Sequence, residues 1–232
     1  MPNTTHIERH FQGKDTVRDI VIGMADGLTV PFALAAGLSG VVDTSHIIVI
    51  AGIAEIIAGS ISMGLGGYLA AKGEIEHYDA EEKREYDEVE KFPEKEVEEV
   101  SDIFKDYGLE AHEITPITGA FKKDKKAWVD FMMRFELGLD KPDRKRTLKS
   151  ARNIGLSYIA GGFVPLSPYM FISDPQTAMP ISIVITLIIL FIFGYGKGKF
   201  TGANPLHSAL NTTIVGGIAA GAAYGIARLI MG

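Results

Sequence analysis

Five stretches of this 232-residue chain are almost free of charge: Ile20–Val42, Ile47–Ala71, Asn153–Ile172, Ala178–Tyr195 and Pro205–Met231. The first is about long enough to cross a ~30 Å hydrocarbon core at ~1.5 Å per residue, and the others are read as spans of the same kind. Asp26 is the one ionisable residue of the first run, and Glu55 the only charge of the second. The third is uncharged but punctuated by Gly161-Gly162, Pro165 and Pro168, and the fourth is rich in Ile. The fifth carries Arg228 near its end and a Gly217/Gly221/Gly225 ladder, a spacing that suits close helix–helix contact in lipid.

Between the second and third runs the pattern changes to densely charged, with helical periodicity. No breaker separates Ile47–Ala71 from Lys72–Lys91, so one helix is predicted to leave the apolar layer and continue ~30 Å into water. Phe92-Pro93 ends it, since proline suits the first turn of a new helix. A second insert helix reaches about Tyr107 and is closed by Gly108. A third runs from Leu109 into the cluster Lys122–Lys126, and a fourth spans Trp128–Leu137 before Gly138 and Pro142. The predicted fold is an all-α membrane protein with five transmembrane helices and a cytoplasmic helical metal-binding insert between spans 2 and 3. Its parts are residues 1–71, 72–149 and 150–232.

Charge sharpens this division. Residues 72–149 hold 22 of the 29 acids and 16 of the 23 bases, so the net charge of −6 belongs to the insert. A soluble chain spreads charge over its whole surface, which this one does not. Arg9, Lys14 and Arg18 precede the first span, and Lys197 and Lys199 follow the fourth, whereas Asp43–His46 and Ser173–Thr177 contain no Lys or Arg. The bias predicts a cytoplasmic N-terminus and insert, with the C-terminus on the far side. Cysteine is absent, which excludes disulfides and thiolate metal sites. Lys122–Lys126 and Arg144–Arg146 suit lipid headgroups or acidic neighbours and are too short to indicate nucleic acid. No nucleophile constellation or phosphate loop points to an enzyme.

Helical phase then singles out particular acids. Glu81, Glu85 and Glu88 fall on the same side of their helix as Tyr78, Val89 and Phe92. Glu96 and Glu99 flank the Val97/Val100/Phe104 stripe, and Glu136 shares a face with Val129, Met132 and Met133. A solvated acidic face would lie opposite its apolar stripe. Packed carboxylates need a neutralising cation or raised pKa values. Carboxylates from facing helices hold iron or manganese in bundles; an all-oxygen site suits Mg2+, Ca2+ or Mn2+ as well, and a thioether tilts the choice toward a later transition metal such as Fe2+. Spacing alone leaves two readings open, a divalent site and an ion-paired acidic bundle. In the spans, a charge at mid-bilayer costs ~2.5–3.5 kcal/mol, so Asp26 and Glu55 are expected to face a polar interior or a pathway. Met63, among Gly59, Ser60, Gly64 and Gly67, is placed where a thioether could face a narrow passage. Glu74-Ile-Glu-His77 has the spacing of a di-iron ligand pair but lacks a second copy.

Two motifs carry a resemblance. Asp26-Gly-Leu-Thr-Val-Pro-Phe-Ala-Leu-Ala-Ala-Gly-Leu38 and Ala54-Glu-Ile-Ile-Ala-Gly-Ser-Ile-Ser-Met-Gly-Leu-Gly-Gly-Tyr68 are similar to the signatures of the vacuolar iron transporter family. The resemblance covers essentially the whole chain. It implies a homodimer in the vacuolar membrane that exchanges cytosolic Fe2+ for lumenal protons, with Mn2+ and other divalent ions as further substrates. It implies an ion path between protomers, with Asp26, Glu55 and Met63 at the matching pathway positions. It also implies a cytoplasmic metal-binding domain, with Glu85, Glu88, Glu96, Glu99, Met132, Met133 and Glu136 at the matching ligand positions; Zn2+ and Co2+ are further candidates there. The competing expectations are a membrane-anchored metal sensor or buffer, and a passive divalent cation channel.

Overall fold

The computed structural model describes residues 14–231; Arg9, counted above toward orientation, lies outside the described residues. The described chain is helical throughout, with eight α-helices and no strand. They are α1 (Lys14–Ser39), α2 (Ser45–Lys91), α3 (Pro93–Asp106), α4 (Ala111–Phe121), α5 (Lys125–Phe135), α6 (Arg146–Phe171), α7 (Pro175–Thr201) and α8 (Pro205–Met231). The chain divides into two compact units, residues 1–69 with 147–232, and residues 70–146. The helix α2 is continuous across that division, as the lack of a breaker after Ala71 predicted.

In the first unit, four helices are long and apolar enough to cross a membrane: α1, α2, α7 and α8. The helix α6, read from sequence as the third span, has a comparable 26 residues, but its Gly, Ser, Tyr and Pro residues dilute its apolar character. Much of it is buried instead, with Ile154, Tyr158, Gly161, Gly162, Leu166 and Tyr169 all enclosed. One of its prolines, Pro168, is accommodated by the side chain before it. Ser167 Oγ donates to Val164 O at 2.8 Å, the acceptor that Pro168 cannot serve.

The outward surface of this unit is apolar. Ile47, Ile50, Ile57, Ile61 and Leu65 of α2 are each at least half exposed, as are Ile214, Val215 and Ile218 of α8. Such contiguous apolar surface in contact with water would be an aggregation liability; hydrocarbon is its natural solvent. The interior is tight because it is built on small residues. A Cβ at Gly23 or Gly27 of α1 would collide with the backbone carbonyls of Ile154 and Tyr158 on α6. On α2, a Cβ at Gly64 would stand 3.0 Å from Ala151 O, and on α6 one at Gly155 would stand 3.2 Å from Ser60 O. Packing this close replaces the hydrophobic drive that lipid cannot supply. The α8 ladder is different: Gly221 and Gly225 face open space within the chain.

The second unit is a small helical body with its own core of Tyr78, Val89, Val100, Trp128, Val129, Met132 and Met133. Phe131 stacks between Phe104 and Phe135 at centroid distances of 5.3 and 4.8 Å. Gly108 (φ 86°) turns the chain between α3 and α4, and Gly138 (φ 65°) turns it after α5; both conformations suit glycine. Asp124 caps α5 by accepting from Ala127 N. Arg144 clamps the segment after α5 onto α2 through a two-pronged ion pair with Asp79, at 2.7 and 3.1 Å.

Candidate functional site

Two constellations of carboxylates stand out, one in each unit. In the membrane-type unit, α2 carries Glu55, Gly59 and Met63 four residues apart, so they lie along one side of the helix. Glu55 is half-buried. Its Oε1 accepts a hydrogen bond from the Tyr158 hydroxyl of α6, while its Oε2 is buried with no hydrogen-bond partner. Gly59 makes the pair possible: a Cβ there would stand 2.5 Å from Tyr158 Cζ. Tyr158 is also near enough to Asp26 on α1 to feel its charge. One phenol on α6 is therefore bonded to one span carboxylate and within electrostatic reach of the other. Asp26 and Met63 are both half-buried.

The sequence reading did not include Tyr158. Its only signal was a hydroxyl-bearing aromatic, one of two with Tyr169, in an uncharged Gly- and Ser-rich run. Helical periodicity reports which residues share a face, and Glu55 and Tyr158 are 103 positions apart.

In the second unit, the glutamates singled out by phase are brought together. Glu85 (2 % exposed) and Glu96 (1 % exposed) are buried beside the apolar core, with Glu88 and Glu99 partly exposed around them. Burial first, then the charges of Glu136, Glu88 and Glu99, push the Glu85 carboxyl up to about 7. Burial first, then Glu99, Glu85, Glu88 and Glu136, push Glu96 up to about 7 as well. Glu136, the C-cap of α5, is raised by burial and by Glu99 and Glu88. Five acids from α2, α3 and the end of α5 thus feel one another's charge. Both Glu96 oxygens and Glu85 Oε2 are buried without a hydrogen-bond partner.

Internal cations offset part of this repulsion. Arg84 lies 2.9 Å from Glu81, 3.7 Å from Glu88 and 4.0 Å from Glu85, and Lys95 lies 2.9 Å from Glu99. Glu96 has no such partner among the described ion pairs. Met132 and Met133 are fully enclosed, at 0 % and 1 % exposure, within the core that these acids border. Among the described residues, no three His, Cys, Asp or Glu side chains are already arranged to hold one ion. Chemically the cluster is an under-neutralised nest of oxygen donors. It can bind protons or gain a divalent cation, and either relieves the same repulsion. His77 pairs with Glu81 at 3.9 Å, and Glu74 pairs with Arg146, so the Glu-x-x-His pair is not set up as a di-iron half-site.

Comparison with known proteins bears on both constellations. A family model described as the VIT family matches residues 17–228, which includes every residue named in them. "Vacuolar iron transporter 1" of Arabidopsis thaliana is 56 % identical over 225 residues, covering 97 % of this chain and 90 % of that protein. "Vacuolar iron transporter 1" of Oryza sativa subsp. japonica is 55 % identical, covering 97 % and 89 %. "Protein CCC1" of Saccharomyces cerevisiae is 40 % identical over 232 residues, covering 95 % and 71 %.

Proposed function

Because the chain belongs to the VIT family, we propose that it transports iron across the vacuolar membrane, carrying cytosolic Fe2+ inward in exchange for protons. The observation that carries the exchange mechanism is Glu55: a carboxylate on an apolar helix, hydrogen-bonded at one oxygen by Tyr158 and unpartnered at the other. Such a group is costly to bury charged, and either a metal ion or a proton relieves the cost. Mutually exclusive occupancy of one carboxylate by the two ions is the simplest form of exchange.

In this reading Asp26, Glu55 and Met63 form the transport pathway, with two oxygen donors and a soft thioether suited to Fe2+. Tyr158 positions Glu55 and couples it electrostatically to Asp26. The helix α6 serves as a fifth span beside α1, α2, α7 and α8, its polar and small residues turned to the interior. Lys and Arg near the span ends favour a cytoplasmic N-terminus and insert and a lumenal C-terminus. Two copies of the chain related by a two-fold axis would double the donors around one path, giving a symmetric site from few residues per chain. The open Gly221/Gly225 face of α8 leaves room for further helix contact.

The insert captures metal before transport. Glu85, Glu88, Glu96, Glu99 and Glu136 supply the oxygens, with Met132 and Met133 as candidate sulfur donors. Mn2+, Zn2+ and Co2+ fit the same donor set less selectively. Iron uptake into proteoliposomes with an acidic interior tests the transport reading. Uptake that Asp26→Ala and Glu55→Ala abolish supports it. Uptake unaffected by either would remove these residues from the pathway, and no uptake at all would favour a membrane-anchored sensor or buffer.

A further inference from the structure

The seam that aligns Tyr158 with Glu55 holds a second buried carboxylate with no role so far. Asp19 is 2 % exposed, and its Oδ1 is buried without a hydrogen-bond partner. Asp19, Gly23 and Gly27 follow one another at four-residue spacing on α1, as do Ser150, Ile154 and Tyr158 on α6. Gly23 meets the Ile154 backbone and Gly27 meets that of Tyr158. One turn further along the same two helices, Ser150 of α6 lies beside Asp19. The helix α2 closes the third side with Gly67, where a Cβ would stand 3.1 Å from Ser150 Oγ. One ridge of α6 therefore sets two hydroxyls beside two carboxylates, Ser150 near Asp19 and Tyr158 bonded to Glu55, eight residues or ~12 Å apart. The Ser150–Asp19 pair lies where the chain leaves this unit, after Leu69, and returns to it, at Thr147.

Few of the described residues face Asp19. Its own helix contributes Arg18, which is exposed, and the like charge of Asp15; α6 contributes Ser150; α2 contributes Gly67, which has no side chain to offer. Asp19 and Ser150 together present two or three oxygens under tight helix packing, far short of the six to eight that hard divalent ions gather. A proton needs a single lone pair, and Asp19 Oδ1 has one free. Burying an ionised carboxylate without a contacting cation is costly, and one bound proton removes the cost.

We propose that Asp19 is a second proton-binding carboxylate of the carrier, loaded and unloaded in the same cycle as Glu55. This rests on the proton-exchange reading above. The full chain in proteoliposomes tests it through two assays on the same vesicles. One is iron uptake driven by a pH gradient, and the other is iron-for-iron counterflow at equal pH, which needs no net proton movement. Asp19→Asn is expected to lose the stimulation by the gradient while keeping counterflow, and Asp19→Glu to regain it. Ser150→Ala is expected to shift the pH at which stimulation is half-maximal. Unchanged stimulation in Asp19→Asn overturns the proposal. So does loss of counterflow and stimulation together in Asp19→Asn, which marks a structural role. Wild-type uptake that ignores the gradient would overturn the exchange reading itself, an outcome distinct from both.

Discussion

Tyr158 on α6 holds Glu55 on α2 through a hydroxyl-to-carboxylate hydrogen bond, and the missing side chain of Gly59 is what lets the phenol ring reach it. Removing the hydroxyl leaves Glu55 with two unpartnered oxygens. Tyr158→Phe is therefore expected to cost ~1–3 kcal/mol, the usual penalty for stranding a buried polar group, and to slow iron uptake. Gly59→Ala should reproduce both effects by pushing the ring away. Gly66→Ala, at a position facing open space, should change neither. Thermal melting in detergent and vesicle uptake on the three variants check this.

The glycines of α1 separate packing from pattern. Gly23→Ala and Gly27→Ala place a methyl group against backbone carbonyls of α6, which cannot swing aside as a side chain can. Each is expected to destabilise the unit by ~1–3 kcal/mol or more, as overpacking does. Gly221→Ala and Gly225→Ala, at the same kind of spacing on α8, should leave the melting of the single chain unchanged. A loss of stability at Gly221 comparable to that at Gly23 would contradict the packing described here.

These positions also mark how far the sequence could be read. The apolar runs and the breakers Pro93, Gly108 and Gly138 located the helices, because both signals are local, although α1, α6 and α7 run on into charged residues beyond their apolar runs. Helical phase located the insert glutamates on their apolar faces, and burial of Glu85 and Glu96 followed. What was not legible depended on contacts between distant segments. The Tyr158–Glu55 pair joins two helices separated by the whole insert. The spacing of Gly217, Gly221 and Gly225 suggested a contact face like that of Gly23 and Gly27, but only the latter is filled within the chain. The third apolar run fell short of a clear span on its own composition, since its small and polar residues serve an interior position.

The insert should respond to pH in a direction opposite to ordinary acid denaturation. Glu85 and Glu96 have carboxyls raised to about 7 in the folded state, from an ordinary value of 4.5. Across that window the folded state binds more protons than the unfolded one, so stability falls as pH rises through about 7. One such group taken alone is worth on the order of 3 kcal/mol. The single tryptophan, Trp128, is buried in the insert core and reports its unfolding directly. Its fluorescence melt in the presence of a chelator is expected to shift upward from pH 8 to pH 5. Added Fe2+ or Zn2+ should stabilise most at pH 8, where the carboxylates are free of protons. A melt independent of pH would contradict the clustering of these acids.

Met132 must be tested by a substitution that keeps its volume. It is fully buried in the insert core, so Met132→Ala is expected to cost ~2–5 kcal/mol whatever its role toward metal. Met132→Leu should cost less than ~1.5 kcal/mol and keep the Trp128 melt close to that of the parent. If the thioether is a ligand, the leucine variant binds Fe2+ more weakly in a fluorescence titration. Unchanged affinity would assign Met132 to packing alone and leave the glutamates as the donors.

The central claim is that iron and protons share the span carboxylates and move in opposite directions. It is tested most directly by following iron entry and interior pH together in vesicles that contain the full chain, an acidic lumen and no other driving force. The expected result is accumulation of Fe2+ above its outside concentration, with the lumen turning alkaline in step, and loss of both signals in Glu55→Gln. Iron that merely equilibrates while the interior pH stays constant would contradict exchange and make the protein a passive divalent pathway.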